Sequence, residues 1–179
     1  MLSTLRNAWK VPELRKRFLW TIFLVAIFRI GIHIPVPGID TSALSTLTES
    51  GGLLSFYNLI SGGAFTKASI LALSVSPYIN ASIIMQLLTI AIPSLEQLSK
   101  EGEEGRKKIQ SITRYVSIGI ACVLALGVYS TIANLGATSG VGTLEKIVVI
   151  FSLVVGSTFC MWLGDQITQK GFGNGVSIL

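Results

Sequence analysis

Apolar residues run along the chain in long blocks that charged residues only punctuate. No Asp, Glu, Lys or Arg occurs at 68–95, 115–144 or 147–164, and residues 18–34 carry only Arg29. A helix rises ~1.5 Å per residue and bilayer hydrocarbon is ~30 Å thick, so apolar blocks of about 18 residues are candidate membrane spans. The pattern predicts four, at 18–34, 70–92, 115–135 and 147–164. The first closes on Ile34-Pro35-Val36-Pro37-Gly38, where two prolines and a glycine stop a helix; the second is broken early by Pro77. Around the spans lie a basic segment (1–17), a looser external segment (35–69), a hydrophilic loop (93–114), a small-residue loop (136–146) and a glycine-rich polar segment (165–179) that turns apolar again at Val176.

One apolar block is too short for this scheme. Leu53-Leu54-Ser55-Phe56-Tyr57-Asn58-Leu59-Ile60, part of a helix expected at about 53–61, is flanked by Gly51-Gly52 and Gly62-Gly63. Such a helix covers only ~13 Å and cannot cross a bilayer. Its apolarity suits a short helix that enters from one side and returns, with backbone buried in protein or facing a cavity, and with glycines to turn the chain. The expected fold class is all-α: a polytopic helical membrane protein with four transmembrane helices and a short re-entrant helix.

Composition sharpens this reading. Of 179 residues, 50% are hydrophobic and 13% charged, about half the charge of a soluble domain, and mean hydropathy is +0.67. Soluble enzymes, nucleic-acid binders and disulfide scaffolds are thereby excluded. Cys122 and Cys160 sit inside apolar runs and read as packing residues. The net charge of +5 reflects topology instead of a taste for nucleic acid. The segments 1–17, 93–114 and 165–179 hold eleven of the fourteen Lys and Arg residues; Lys67, Lys146 and Arg29 lie toward the other side. Four spans put the three basic segments on one face, and the positive-inside bias makes that face, with the N-terminus, cytoplasmic.

The second span is unusually polar. At ~100° per residue Ser74, Tyr78, Ser82, Gln86 and Thr89 share a sector of roughly 120°, and Val75 and Ile79 point into it one turn apart. A wet stripe interrupted by an aliphatic collar is what a gated conduit needs. Small polar residues that pack helices closely make the same pattern, so both readings stand at this stage.

Several blocks resemble the SecY family, the channel subunits of the bacterial protein-conducting translocon. They are Phe28-Arg29-Ile30-Gly31 with Ile34-Pro35-Val36-Pro37-Gly38-Ile39-Asp40; Ser61-Gly62-Gly63-Ala64; Pro77-Tyr78-Ile79-Asn80-Ala81-Ser82-Ile83-Ile84-Met85-Gln86; and Met161-Trp162-Leu163-Gly164-Asp165-Gln166-Ile167-Thr168 with Gly171-Phe172-Gly173-Asn174-Gly175. The loop Lys100-Glu101-Gly102-Glu103-Glu104-Gly105-Arg106-Lys107-Lys108 is similar to the family's second cytoplasmic segment.

The resemblance implies an inverted-repeat channel of ten spans, of which this chain matches the first four and ends where a fifth begins; an N-terminal portion of a longer channel is expected. It implies that the short helix is a plug (Leu53, Leu54, Phe56, Tyr57, Leu59, Ile60, hinged at Gly62 and Gly63). It also implies that Val75 and Ile79 join the pore ring, the former where the family commonly has isoleucine, and that Ser82, Gln86 and Thr89 lie near a lateral gate. The implied activity is passive conduction of unfolded polypeptide, with signal sequences and membrane helices released sideways into lipid. Implied partners are the small membrane subunits SecE and SecG, the SecA ATPase, a ribosome with its nascent chain, signal sequences, unfolded preproteins and the lipid bilayer, with no direct contact to nucleic acid. The implied location is the bacterial plasma (inner) membrane.

Catalysis, cofactors and metals are not expected. The chain has no phosphate-binding glycine-lysine loop, and Gly171-Phe172-Gly173-Asn174-Gly175 follows a span instead of a strand. His33, the sole histidine, reads as interfacial, and Asp40 and Asp165 fall at opposite faces. Arg29, inside its span, suits either snorkelling to the outer headgroups or a fixed partner for a buried polar group near the plug. Trp162 and Leu163 read as anchoring and packing. The competing class is a small secondary transporter or ion channel with a re-entrant helix, which predicts an ion or substrate near the midplane.

Overall fold

The computed structural model describes residues 11–37, 39, 41, 45, 53–134 and 142–179. These residues are almost wholly helical: α1 (Pro12–Gly31), α2 (Leu53–Ile60), α3 (Ser76–Ala91), α4 (Pro93–Lys100), α5 (Glu103–Asn134), α6 (Thr143–Lys170) and α7 (Gly175–Ile178). The expected basic segment up to residue 10, Gly51-Gly52, Gly38, Asp40 and loop residues 135–141 lie outside the described residues.

The expected spans at 115–135 and 147–164 fall on longer helices, except for residue 135, which lies outside the described residues. α5 has 32 residues and α6 has 28, and these are the two described helices long and apolar enough to cross a membrane. α1 starts at Pro12, not at 18, because a proline suits the first helical turn, where its missing N–H is no loss. Glu13, Arg15, Lys16 and Arg17 therefore ride on the helix itself.

The largest departure concerns the stretch expected to be helical over 70–92. α3 begins only at Ser76, and its 16 residues rise ~24 Å. Residues 69–75 are instead a run of turns: the Ser69 hydroxyl accepts the Leu71 N–H (3.1 Å), and the Ser74 N–H reaches the Leu71 carbonyl (2.8 Å). Ala68 and Ser74 adopt φ of 46° and 50°, a left-handed conformation that interrupts any helix. At the far end Ile92 is extended ahead of Pro93, as residues before proline prefer. α4 consequently leaves α3 at 101°, and α3 and α4 have the length and apolarity of a span only when taken together.

α6 is central. It packs against α1 on one side, α5 on the other and α7 at its end, while α5 carries α3 and α4. The α5 side is a ladder of small residues four apart, Thr113, Ser117, Ala121 and Ala125, all buried. Such residues let helix backbones approach closely where burial from water cannot drive association. The Ser117 hydroxyl meets Met161 Sδ at 3.2 Å. The Ile70 carbonyl packs directly against the backbone of Gly156 in α6, and a Cβ there would fall 2.7 Å from the Ile70 carbonyl carbon. Leu24 and Phe28 of α1 and Ile32 directly after it complete one core with Leu71, Cys160, Leu163 and Ile167.

Candidate functional site

Pro77 lies in the first turn of α3 and is buried with Ala81 and Met85, the face that meets the bundle. The opposite face, Ile79, Ile83, Ile84, Leu87 and Ile90, is exposed. Between them runs an open groove of about 400 Å³. α3 lines it with Tyr78, Ile79, Ser82, Ile83 and Gln86; the other wall is Gln110 of α5, Asp165 and Thr168 of α6, and the start of α7.

The wall at α7 depends on glycine. After Gly171 ends α6, the chain turns back so closely that a Cβ on Gly175 would overlap the Gly164 carbonyl oxygen. The Gly175 N–H donates to Thr168 Oγ1 (2.8 Å), Asn174 Oδ1 caps Val176 N–H (3.1 Å), and Phe172 N–H donates to Thr21 Oγ1 (3.1 Å). The glycine-rich motif thus builds a turn that packs Val176 and Leu179, both partly buried, against the core that α1 shares.

Of the residues singled out in sequence, Ser82 and Gln86 line the groove together with Ile79. Thr89 does not: its hydroxyl bonds back to the Met85 carbonyl (2.7 Å). Ser74 leaves the stripe altogether, because it precedes the helix and is buried. Val75 and Ile79 are one turn apart as expected, with the Ile79 N–H on the Val75 carbonyl at 3.1 Å. Their side chains part company. Val75, the residue ahead of the helix, is 7% exposed and packs in the α1–α6 core, whereas Ile79 is 42% exposed in the groove.

The short helix α2 forms where the apolar block predicts it. Its end is closed by Gly63 N–H to Asn58 O (2.9 Å) and Gly62 N–H to Leu59 O (3.1 Å), the paired bonds of a Schellman turn. Gly62 and Gly63 have φ of 64° and 85°, so the turn requires glycine. Phe56 and Leu59 are exposed; the side chains of Leu53, Leu54, Tyr57 and Ile60 lie outside the described residues.

The return segment is stapled to the C-terminal end of α1 and the residues that follow it. Val36 N–H donates to Ala68 O (2.8 Å), Ile70 N–H to Ile34 O (3.1 Å) and the Ser69 hydroxyl to Gly31 O (3.1 Å). The Lys67 ammonium donates to His33 Nε2 (2.9 Å), which leaves His33 Nδ1–H to donate to Arg29 O (2.9 Å). Arg29 is exposed, stands beside Gly62, and makes no ion pair with a described residue.

Sequence reasoning missed one element. Asp165 is buried within α6 and pairs with Arg114 of α5 at 2.8 Å, beside Tyr78 and Gln110. The sequence pattern places Arg114 in the hydrophilic loop 93–114 and Asp165 in the polar segment 165–179, with no pairing between them. An aspartate directly after an apolar helical run, with an arginine opening the preceding span, is the signal that was available.

The SecY family profile matches residues 69–179. Protein translocase subunit SecY of Escherichia coli K12 is 44% identical over 93% of this chain, and that of Thermotoga maritima is 41% identical over all of it. The chain spans 39% and 44% of the length of these two relatives. Sec61 in the canine ribosome-channel complex from the endoplasmic reticulum shares the fold, with a TM-score of 0.62 at 22% identity over 92% of this chain and 35% of that one. With the short glycine-hinged helix, the groove along α3 and the profile match over most of its length, the chain belongs to the SecY family.

Proposed function

We propose that this chain supplies the N-terminal part of the pore-forming subunit of a general secretory translocon in the bacterial inner membrane. The part conducts unfolded polypeptides across the membrane and releases signal sequences and membrane helices sideways into lipid. The observation that carries the proposal is the groove along α3, where neutral polar side chains flank an exposed aliphatic residue, Ile79. Polar walls keep a passage wet, and an aliphatic constriction sheds water and blocks ions.

In this reading the chain spans the membrane four times with its N-terminus in the cytoplasm, and α2 is the plug. Ile79 is the pore-ring residue that faces the passage, and Val75 supports it from behind. Ser82 and Gln86 border the lateral gate, with Thr89 toward its end. Arg29, beside Gly62, steadies the plug's return. The remaining ring residues, the opposite gate wall and the contacts to SecE, SecG, SecA and a translating ribosome belong with the rest of the channel. The relatives are translocase subunits, and a small transporter or ion channel is not favoured.

A photoreactive residue at position 79 of the full-length channel, with a stalled secretory chain engaged, tests this. Adducts to the translocating chain are expected. Adducts to lipid alone refute the reading.

A further inference from the structure

The groove contains one ionised side chain among its described lining residues, Asp165, and that carboxylate is only 9% exposed. A lone carboxylate there would be costly, because burial strips its water, and it would colour the passage with negative potential. Arg114 prevents both. Its Nη2 donates to Asp165 Oδ2 at 2.8 Å, and Arg114, with a side chain 38% exposed, is not among the residues that line the groove. The other polar lining groups are hydroxyls and amides, among them Tyr78, Ser82, Gln86 and Gln110.

We propose that Arg114 is a charge-neutralising residue: by cancelling Asp165 it makes this stretch of the passage blind to substrate charge, so that acidic and basic polypeptide segments meet the same neutral hydrogen-bonding surface. The inference rests on the conduit reading above and names how that conduit treats its substrate class. Opposite charges on passing segments would otherwise be trapped or repelled at one fixed carboxylate. A pair that served only to hold α5 against α6 would weaken the bundle when broken, without any dependence on the sign of the charge left behind.

The sign is therefore the readout. The full-length channel with its partner subunits is placed in a planar bilayer and opened by a trapped secretory chain, and the potassium-to-chloride permeability ratio is taken from the reversal potential in a salt gradient. Arg114→Gln should raise the ratio ~3-fold or more, the size expected for one uncancelled charge beside a partly wet passage. Asp165→Asn should lower it. The double variant R114Q/D165N, and Arg114→Lys, should return the parental ratio. If Arg114→Gln does not assemble, the Asp165→Asn arm and the charge-swapped R114D/D165R channel decide, the latter again expected to match the parent. Unchanged ratios in the single variants, or shifts of the same sign, overturn the inference while leaving the conduit intact. A chain-engaged complex that passes neither current nor polypeptide overturns the conduit, and this inference with it.

Discussion

Gly175→Ala is the most direct test of how the groove wall is built. The added methyl would overlap the Gly164 carbonyl oxygen and fall 2.9 Å from its carbon and 2.7 Å from Ile167 Cβ. Two of those atoms are hydrogen-bonded helix backbone of α6, which yields little, so α7 must move outward. Overpacking of this kind costs ~1–3 kcal/mol. The shift also strains the Gly175 N–H bond to Thr168 Oγ1, worth about 1 kcal/mol. A total of ~2–4 kcal/mol corresponds to a fall in midpoint of roughly 5–15 °C for a chain of this size. Cys160 supplies the assay: it is fully buried, whereas Cys122 is exposed. In a Cys122→Ser background in detergent, a thiol-reactive dye labels Cys160 as the bundle opens on heating. Gly127→Ala is the control, since nothing lies within 4 Å of a Cβ there and the change should be neutral or stabilise by up to about 1 kcal/mol. If Gly175→Ala melts with Gly127→Ala, the close backbone crossing of α6 and α7 is wrong.

Three further outcomes are expected. Ser74→Gly should stabilise the bundle by about 1 kcal/mol, because φ of 50° suits glycine better than serine; the same thiol assay would show a lower midpoint if the turn is misassigned. Val75→Ala should lower the midpoint through a cavity worth about 2 kcal/mol, while Ile79→Ala, at an exposed site, should leave it nearly unchanged but raise ion leak through the reconstituted channel. Asn58→Ala removes the side-chain acceptor of the Thr66 N–H (3.0 Å), so amide exchange at 61–66 should quicken while exchange within α5 and α6 stays unchanged.

Much of the architecture was legible in one dimension because the bilayer imposes it. An apolar run either reaches across ~30 Å or does not, which marked α5 and α6 as spans and α2 as something shorter. Gly62 and Gly63 were identified as turn residues for an equally local reason, the freedom of a residue without a Cβ. The polar stripe was read from an ideal helical period, which held for Tyr78, Ser82 and Gln86 but failed for Ser74. A period of 3.6 assumes that the helix has already begun, yet the pairing of 34–36 with 68–70, residues far apart in sequence, holds the chain in turns until Ser76.

Properties that depend on a few neighbouring residues, namely helix type, apolar length, proline stops and glycine turns, can be read along one dimension. That Val75 packs inward while Ile79 looks out, that Ser74 is buried off the helix, and that Arg114 answers Asp165 emerge only from the packed bundle. Each of these turns on which helix lies across from which, a matter of contacts between residues up to 151 positions apart, as from Thr21 to Phe172. Periodicity specifies the faces of a helix but not their neighbours, and it is the neighbour that makes one face a core and the other a groove.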